Sequence, residues 1–383
     1  MVNISLKQIP NNFFPVEKID KRILSIHDEL VENRFDCFLV GGCIRDLLSK
    51  KKPKDFDLVT NAVPDQIINI FKKRARLVGK RFPIVHVRRG NLIVEVSTFR
   101  SSRSLERDYG KSGIILRDEA WGNLEEDVLR RDFTINALYY DPLRNEIIDY
   151  LGGIEHIKQK KVMFIGPPIK RIKEDPIRML RAIRFSAKLH TKLNSSLASS
   201  IKKSSDQINS ISRARLFDEF RKLFLSGYAL NVWNIITKTS LPKLIWPECN
   251  TKDPVINIGL AFTDRRFKEN KTLSPAFIIA LLLWSRFNRK TAHSKSLNSE
   301  SIAKNILRHQ NNRMSIPVRY REFVSSIWLL QAKLEAKQNK GLINNRSFRA
   351  AYDFLVVRGE TDPSLADLVD FWKGAQKSES KIP

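Results

Sequence analysis

The sequence predicts an α+β protein, with a mixed sheet and helices in front and an all-α rear, and three observations carry that expectation. Short β-branched runs alternate with helix-like stretches as far as Tyr150. From Asp175 onward the apolar residues recur at helical spacing, with no run of strands. The charge divides too: 68 Lys and Arg against 41 Asp and Glu give a net +27 at pH 7, of which +4 falls on residues 1–150 and +23 on the remainder.

Taken in order, Asp36–Val40 predicts a strand, Gly41-Gly42 a turn and Cys43–Ser49 a helix. Asp55–Val59 predicts a second strand, and Asp65–Lys73, entered through Pro64, a second helix. Ile84–Arg88 and Leu92–Phe99 predict two strands joined at Arg89-Gly90-Asn91. Further on, Asp175 as N-cap and Pro176 in the first helical position predict a helix start. Its buried stripe is Ile177, Leu180, Ile183 and Ala187. Leu216–Leu225, Phe277–Phe287, Phe323–Leu334 and Phe348–Val357 predict more helices, while Lys290–Ser299 and Gln338–Asn345 predict polar loops.

A hydrophobic content of 42% with 22 Phe excludes a disordered polycation. Fifteen Gly and 16 Pro without a period exclude collagen-like architecture. Cys37, Cys43 and Cys249 are odd in number and have no paired spacing, which argues against a disulfide framework or zinc cluster and fits a reducing compartment. The longest apolar stretch, Ala276–Trp284, is far short of the roughly 20 residues of a membrane span and predicts a buried helix. With no secretory apolar core in the first twenty residues, the expectation is a soluble, cytoplasmic protein with no membrane contact. The positive charge points to a nucleic-acid partner, the alternative being general solubility charge.

The front carries the chemistry. In Lys54-Asp55-Phe56-Asp57-Leu58-Val59 a strand period of two places Asp55 and Asp57 on one face. Like charges so close repel unless a cation lies between them, and an all-carboxylate set with nothing soft nearby suits Mg²⁺. The alternative is an edge strand with two solvated carboxylates. Upstream, Gly41 and Gly42 sit at a strand–helix turn where a phosphate can approach the backbone, and Arg45 lies in the first helical turn as a further anion ligand. Neither GxGxxG nor GxxxxGK[ST] occurs, which excludes Rossmann and P-loop sites. Glu95 is the one charge inside the apolar strand Ile93–Phe99 and the candidate third metal carboxylate; a place on an open strand face with Ser97 is the alternative.

Two arginine-rich segments follow. In Glu125–Tyr140, Arg130 and Arg131 suit triphosphate, and Asp132 can orient an arginine or sit near metal; a solvated helix start with a Glu126–Arg130 pair is the alternative. In Arg171–Phe185, Asp175 and Arg178 form an acceptor–donor pair able to read the edge of a base without a template. An ordinary basic helix on RNA phosphates is the other reading, and Arg181 shares its face.

LVGGCIRDLL, KDFDLVT, EEDVLRRDFTINALYY and EDPIRMLRAIRF, in this order, resemble the bacterial class II branch of the DNA-polymerase-β-like nucleotidyltransferases, which holds tRNA CCA-adding enzymes and bacterial poly(A) polymerases. Leu77–Val87 (LVGKRFPIVHV), Phe348–Leu355 and Leu365–Gly374 are similar to the poly(A) polymerases, with Pro83 a departure from a position more often basic or polar. No HD phosphohydrolase signature is visible, and the long basic C-terminal tail of some members is missing. The resemblance implies a catalytic head at residues 1–150, a helical neck with a nucleotide- and RNA-binding helix at 151–215, and a helical RNA-binding body and tail at 216–383. It also implies Asp55, Asp57 and Asp132 as catalytic, the first two as metal ligands; Glu95 is the third metal carboxylate on the strand argument above. Gly41, Gly42, Arg45, Arg131, Asp175, Arg178, Arg181 and Arg184 would bind nucleotide. The activity implied is template-independent transfer of AMP from ATP to RNA 3′ ends, of mRNA and small RNAs, using Mg²⁺. RNA-decay or RNA-chaperone proteins would be partners, and tRNA CCA addition is the alternative, with a catalytically inactive RNA-binding protein of the same fold further behind.

Overall fold

A computed structural model describes residues 7–10, 14–79, 83–101, 107–109, 115–118, 121–293, 298–337 and 340–379. The chain forms two compact units: residues 1–178 with 193–201, and residues 179–192 with 202–383. The expected head boundary at Tyr150 thus falls inside the first unit.

The first unit is built on a mixed sheet. Its strands are β1 (Lys7–Pro10), β2 (Cys37–Val40), β3 (Asp57–Thr60), β4 (Ala75–Val78), β5 (Ile84–Arg89), β6 (Leu92–Thr98), β9 (Leu138–Asp141) and β10 (Glu146–Asp149). A separate hairpin pairs β7 (Arg107–Tyr109) with β8 (Ile115–Asp118). The sheet order is β1-β10-β9-β2-β3-β6-β5-β4. Every pairing in it is antiparallel except β3 with β6, which run parallel. Helices α1 (Lys21–Glu32), α2 (Gly42–Leu48), α3 (Pro64–Phe71), α4 (Leu124–Arg130), α5 (Gly153–Lys158) and α6 (Pro168–Glu174) complete the unit, with the first residue of α7 (Arg178–Lys188) and part of α8 (Ser195–Ser204). The Asn194 amide donates to the Val162 carbonyl at 3.1 Å and ties the returning segment down.

Local chemistry explains the elements. Asp20 N-caps α1 by accepting from the Arg22 N–H at 2.9 Å, and Ile23, Ile26 and Leu30 turn one buried face inward. Val85, Val87, Val94 and Val96 of β5 and β6 are 0–1% exposed, so one face of these strands is sealed. On the other side of the seam, Val40, Val59, Phe99, Val128, Tyr139 and Ile148 pack as one cluster.

The second unit is all-helical: the rest of α7 and α8, then α9 (Arg213–Phe224), α10 (Ala229–Ile236), α11 (Leu241–Ile245), α12 (Pro254–Lys268), α13 (Pro275–His293), α14 (Ser299–Arg313), α15 (Val318–Glu335), α16 (Phe348–Gly359) and α17 (Ala366–Glu379). The Ala276–Trp284 run lies buried within α13, as expected, and among the described residues no helix is long and apolar enough to cross a membrane. Trp328 donates its ring N–H to the Ala280 carbonyl and Trp372 to the Leu334 carbonyl, so both indoles are buried with their polar atom satisfied.

Several boundaries differ from expectation. The strand expected at Asp55 begins at Asp57, so Asp55 precedes the ladder and is exposed. The helix expected at Pro176 begins at Arg178. Asp175 instead closes α6, donating its N–H to the Arg171 carbonyl, and Pro176-Ile177 form a turn. Pro167-Pro168 had hidden α6, because a proline pair reads as a loop although proline is tolerated in a first helical turn. The expected loop Lys290–Ser299 is narrower: α13 runs to His293 and α14 begins at Ser299. In the expected loop Gln338–Asn345, a 3₁₀ turn occupies Lys340–Asn344. Residues 80–82 of the LVGKRFPIVHV motif lie outside the described residues.

Candidate active site

The parallel seam builds the carboxylate pair. Asp57 opens β3 and stands in register with Glu95 of β6, and Ser97 beyond it donates its hydroxyl to the Leu58 carbonyl. Burial first, then the Glu95 charge, push the Asp57 carboxyl up to about 6; Arg131 opposes the rise and Asp55 adds to it. Asp57 and Glu95 thus repel each other, with a smaller contribution from the exposed Asp55, although among the described residues no three such side chains stand close enough to enclose a metal ion. Mg²⁺ is held through one or two carboxylates with substrate phosphates completing its shell, and the all-oxygen Asp57–Glu95 pair fits that mode. Glu95 is exposed and has His86 of β5 opposite it, with Nε2 3.7 Å from Oε1.

Facing the pair is an arginine wall. Asp57, Glu95 and Ser97 line a cleft of about 210 Å³ together with Arg100, Asp127, Arg130, Arg131, Asp175 and Arg178. Asn123 and Glu126 form a capping box that starts α4, and Arg131 follows the end of that helix. Its Nε and Nη2 donate to Asp127 at 3.0 and 2.8 Å, and the Tyr139 hydroxyl, at 2.7 Å from both residues, closes the triangle. The Arg131 guanidinium also lies 5.0 Å from the Tyr139 ring centre. Burial alone would lower the Arg131 pKa, but Asp127 and Tyr139 outweigh it and hold the cation charged. Arg130 donates to the Ser101 carbonyl.

The Asp175–Arg178 corner is positioned by Arg171. This buried arginine donates to the Arg130 carbonyl at 2.7 Å and to Glu174 at 2.8 Å, and Glu174 also accepts from Arg178 at 2.9 Å. Arg178 further donates to the Arg171 carbonyl. One chain of contacts therefore fixes α6 and the start of α7 against the end of α4.

The remaining expected residues are placed differently. Gly41 adopts φ +80°, a conformation open to glycine, and its N–H donates to the Leu138 carbonyl. Gly42 has no such backbone demand, and a Cβ there would stand 3.5 Å from the Arg45 guanidinium. Arg45 is 5% exposed and donates to Asp46 and to the Asn136 side chain. Asp132 accepts from the Phe133 N–H at 2.9 Å and from Asn136 Nδ2 at 3.1 Å, and is not among the residues lining the cleft. Arg181 and Arg184 belong to the second unit, where both lie over the Phe185 ring and Arg184 donates to Glu219 at 2.7 Å. The Glu126–Arg130 ion pair offered as an alternative gives way to Asp127–Arg131, the neighbouring pair at the same spacing. Asp127, Tyr139, Arg171 and His86 join the site although no motif in the sequence marks them as functional. Asp127 alone left a signal, four residues before an arginine.

Three family models match this chain: a poly A polymerase head domain over residues 37–163, a probable RNA and SrmB-binding site of polymerase A over 192–252, and the polymerase A arginine-rich C-terminus over 293–382. Poly(A) polymerase I of Haemophilus influenzae is 35% identical over 94% of this chain and 85% of its own length. This chain belongs to the bacterial poly(A) polymerase I family. A CCA-adding enzyme of Lactobacillus helveticus is 33% identical, but over 58% of the chain and 56% of its own length. The structure of a Bacillus stearothermophilus CCA-adding enzyme in complex with CTP has the same fold, with a TM-score of 0.67 at 24% identity over 94% of this chain and 82% of that one. The chain is accordingly a nucleotidyltransferase, a class of enzyme that works with divalent metal, and the polymerase-β-like head followed by helices is the architecture expected from its motifs.

Proposed function

We propose that this protein adds AMP from ATP to RNA 3′ ends without a template, releasing pyrophosphate at each step. The observation that carries the reading is the cleft in which the Asp57–Glu95 pair faces Arg130, Arg131, Asp175 and Arg178. In each addition the RNA 3′-oxygen bonds to the α-phosphorus of ATP, the bond from that phosphorus to pyrophosphate breaks, and the hydroxyl proton leaves. Asp55, Asp57 and Glu95 would hold Mg²⁺. When bound, the metal acidifies the 3′-hydroxyl and offsets charge on the leaving pyrophosphate. Arg131, locked by Asp127 and Tyr139, is pre-set for the triphosphate without reorganising. Asp175 and Arg178 present an acceptor and a donor to the base, which selects adenine by its edge. Gly41 and Gly42 let phosphate approach the turn. Asp132 acts by holding Asn136 and, through it, Arg45 beneath that turn. Arg181 and Arg184 serve the nucleotide or the RNA from their own stretch of α7.

The division of labour follows the sequence: residues 1–150 as catalytic head, 151–215 as neck, and 216–383 as RNA-binding body and tail. The strongly basic rear suits RNA, including mRNA and small RNAs, and the match to an RNA and SrmB-binding segment supports an RNA-chaperone or RNA-decay partner. The place of action is the cytoplasm, where RNA and ATP meet.

The alternative, tRNA CCA addition, is favoured by the shared fold and disfavoured by the shorter sequence match. Each NTP should be offered with a generic RNA primer and with tRNA lacking its terminal CCA. Long A-only tails on the generic primer are expected; growth on tRNA alone, stopping after C-C-A, overturns the reading. Wild-type rates from Asp57→Ala would remove the catalytic assignment altogether.

A further inference from the structure

Beyond the cleft, strand register continues the site outward. Arg76 of β4 pairs with His86 of β5, His86 with Glu95 of β6, and Glu95 with Asp57 of β3, so four side chains form one row across four strands. Arg88 stands opposite Ile93 in the adjoining position on the same face. The reverse face of β5 and β6 is sealed by the buried valines, with α1 and α3 packed against β5. The face bearing the row is open: Arg76 and Arg88 are exposed, and Ile93 is 57% exposed. Arg74 and Arg89, nearby in sequence, are taken by Glu29, but among the described residues neither Arg76 nor Arg88 forms an ion pair.

Adenylyl transfer brings two polyanions to one point. The arginine wall lies on one side of Asp57 and suits the triphosphate. The acceptor strand must reach the same carboxylates from another direction, and Glu95 and Asp57 by themselves repel its phosphates. Arg76 and Arg88 supply the missing attraction within about two strand spacings, roughly 10 Å, of Glu95. Ile93 adds apolar surface on which a ribose or base can rest.

We propose that the open face of β4–β5–β6, through Arg76, His86, Arg88 and Ile93, seats the last few nucleotides of the single-stranded RNA acceptor. The proposal rests on the adenylyl-transfer reading above, and the two fail separately. The affinity of the whole 383-residue chain for a short single-stranded oligo(A) is measured without ATP, at several salt concentrations, for wild type, Arg76→Ala, Arg88→Ala and the double variant. Loss of two phosphate contacts should weaken binding about tenfold in the double variant at low salt. The slope of log affinity against log salt should shrink by about 1.4. Arg144→Ala, which removes an exposed charge from the β9–β10 turn, should bind as wild type does. A primer with a photoreactive base near its 3′ end should crosslink within residues 75–95. Wild-type affinity and slope in the double variant, or crosslinks confined to other segments, overturn the proposal. A wild-type protein that binds oligo(A) through these arginines yet adds no AMP would overturn the functional reading instead.

Discussion

The Tyr139 hydroxyl touches both Arg131 and Asp127, which makes it a gauge of how rigidly the arginine wall is held. Tyr139→Phe leaves the ion pair in place and should cost about 1–2 kcal/mol of stability. Arg131→Met strands Asp127, which is 5% exposed, without its cation and should cost about 3–5 kcal/mol. Urea unfolding of the two variants checks the order. Asp57 should behave in the opposite way. Its carboxylate is disfavoured by burial and by Glu95, so Asp57→Asn in metal-free protein should stabilise the fold by about 1–2 kcal/mol while reducing AMP addition at least a thousandfold. Adding Mg²⁺ should raise the melting temperature of wild type and leave that of the variant nearly unchanged. Asp57 left a trace in the sequence because two carboxylates so close together repel; Glu95 stands exposed on the open strand face with Ser97, the alternative reading, so the burial cost that singled it out does not apply. Tyr139 was not legible, since a tyrosine in an apolar strand looks like core until its partner from α4 is known.

At the scale of elements, α1 is fastened to the sheet by Glu29, which accepts from Arg74 after α3 at 2.6 Å and from Arg89 of β5 at 2.8 Å. The Arg74 hydrogen bonds outweigh the burial cost and, with the charges of Arg74 and Arg89, hold the Glu29 carboxyl below its ordinary value of 4.5. A lowered carboxylate pKa stabilises the fold above the unfolded value and loses that contribution as pH falls through the folded value. Wild type should therefore exceed Glu29→Gln at pH 7 by about 1 kcal/mol, given the partial exposure of the arginines, and the gap should be smaller at pH 3. Thermal melts at the two pH values test this. Asp175 shows where sequence rules mislead at this scale. Asp-Pro reads as cap and first helical residue, yet the tertiary contacts of Arg171 extend α6 to Glu174 and leave Asp175 facing the cleft. The helix-capping rule sees only local hydrogen bonds, whereas that corner is fixed by carbonyls forty residues away.

Across the whole molecule, two consequences of composition can be measured. A net +27 means RNA affinity and primer extension should fall steeply between 0.05 and 0.2 M salt, by about an order of magnitude or more. Extension by wild type across that range, with ATP saturating, gives the answer. In the helical unit, Trp372 is fully buried among Leu334, Phe348 and Leu355, and Trp372→Ala should cost about 3–5 kcal/mol. Its unfolding should be followed by fluorescence with the head's AMP transfer as a second readout. The division into an α+β front and an all-α rear was legible because runs with a period of two recur among helical stretches as far as Tyr150 and only the 3.6-residue period continues beyond Asp175. The single parallel pairing was not, since no periodicity records which distant strand lies alongside β3. That seam makes the chemistry a matter of reading frame. β3 and β6 meet with Asp57 beside Glu95, and on β6 the outward positions alternate strictly with buried valines. Deleting one residue ahead of Val94 would leave a strand of much the same composition, but Glu95 would turn into the core and Val94 toward the cleft. Substitutions around the seam can be absorbed one at a time, whereas a single frameshift of the strand cannot, so insertions and deletions should be tolerated in the β5–β6 turn only when compensated before β6 begins.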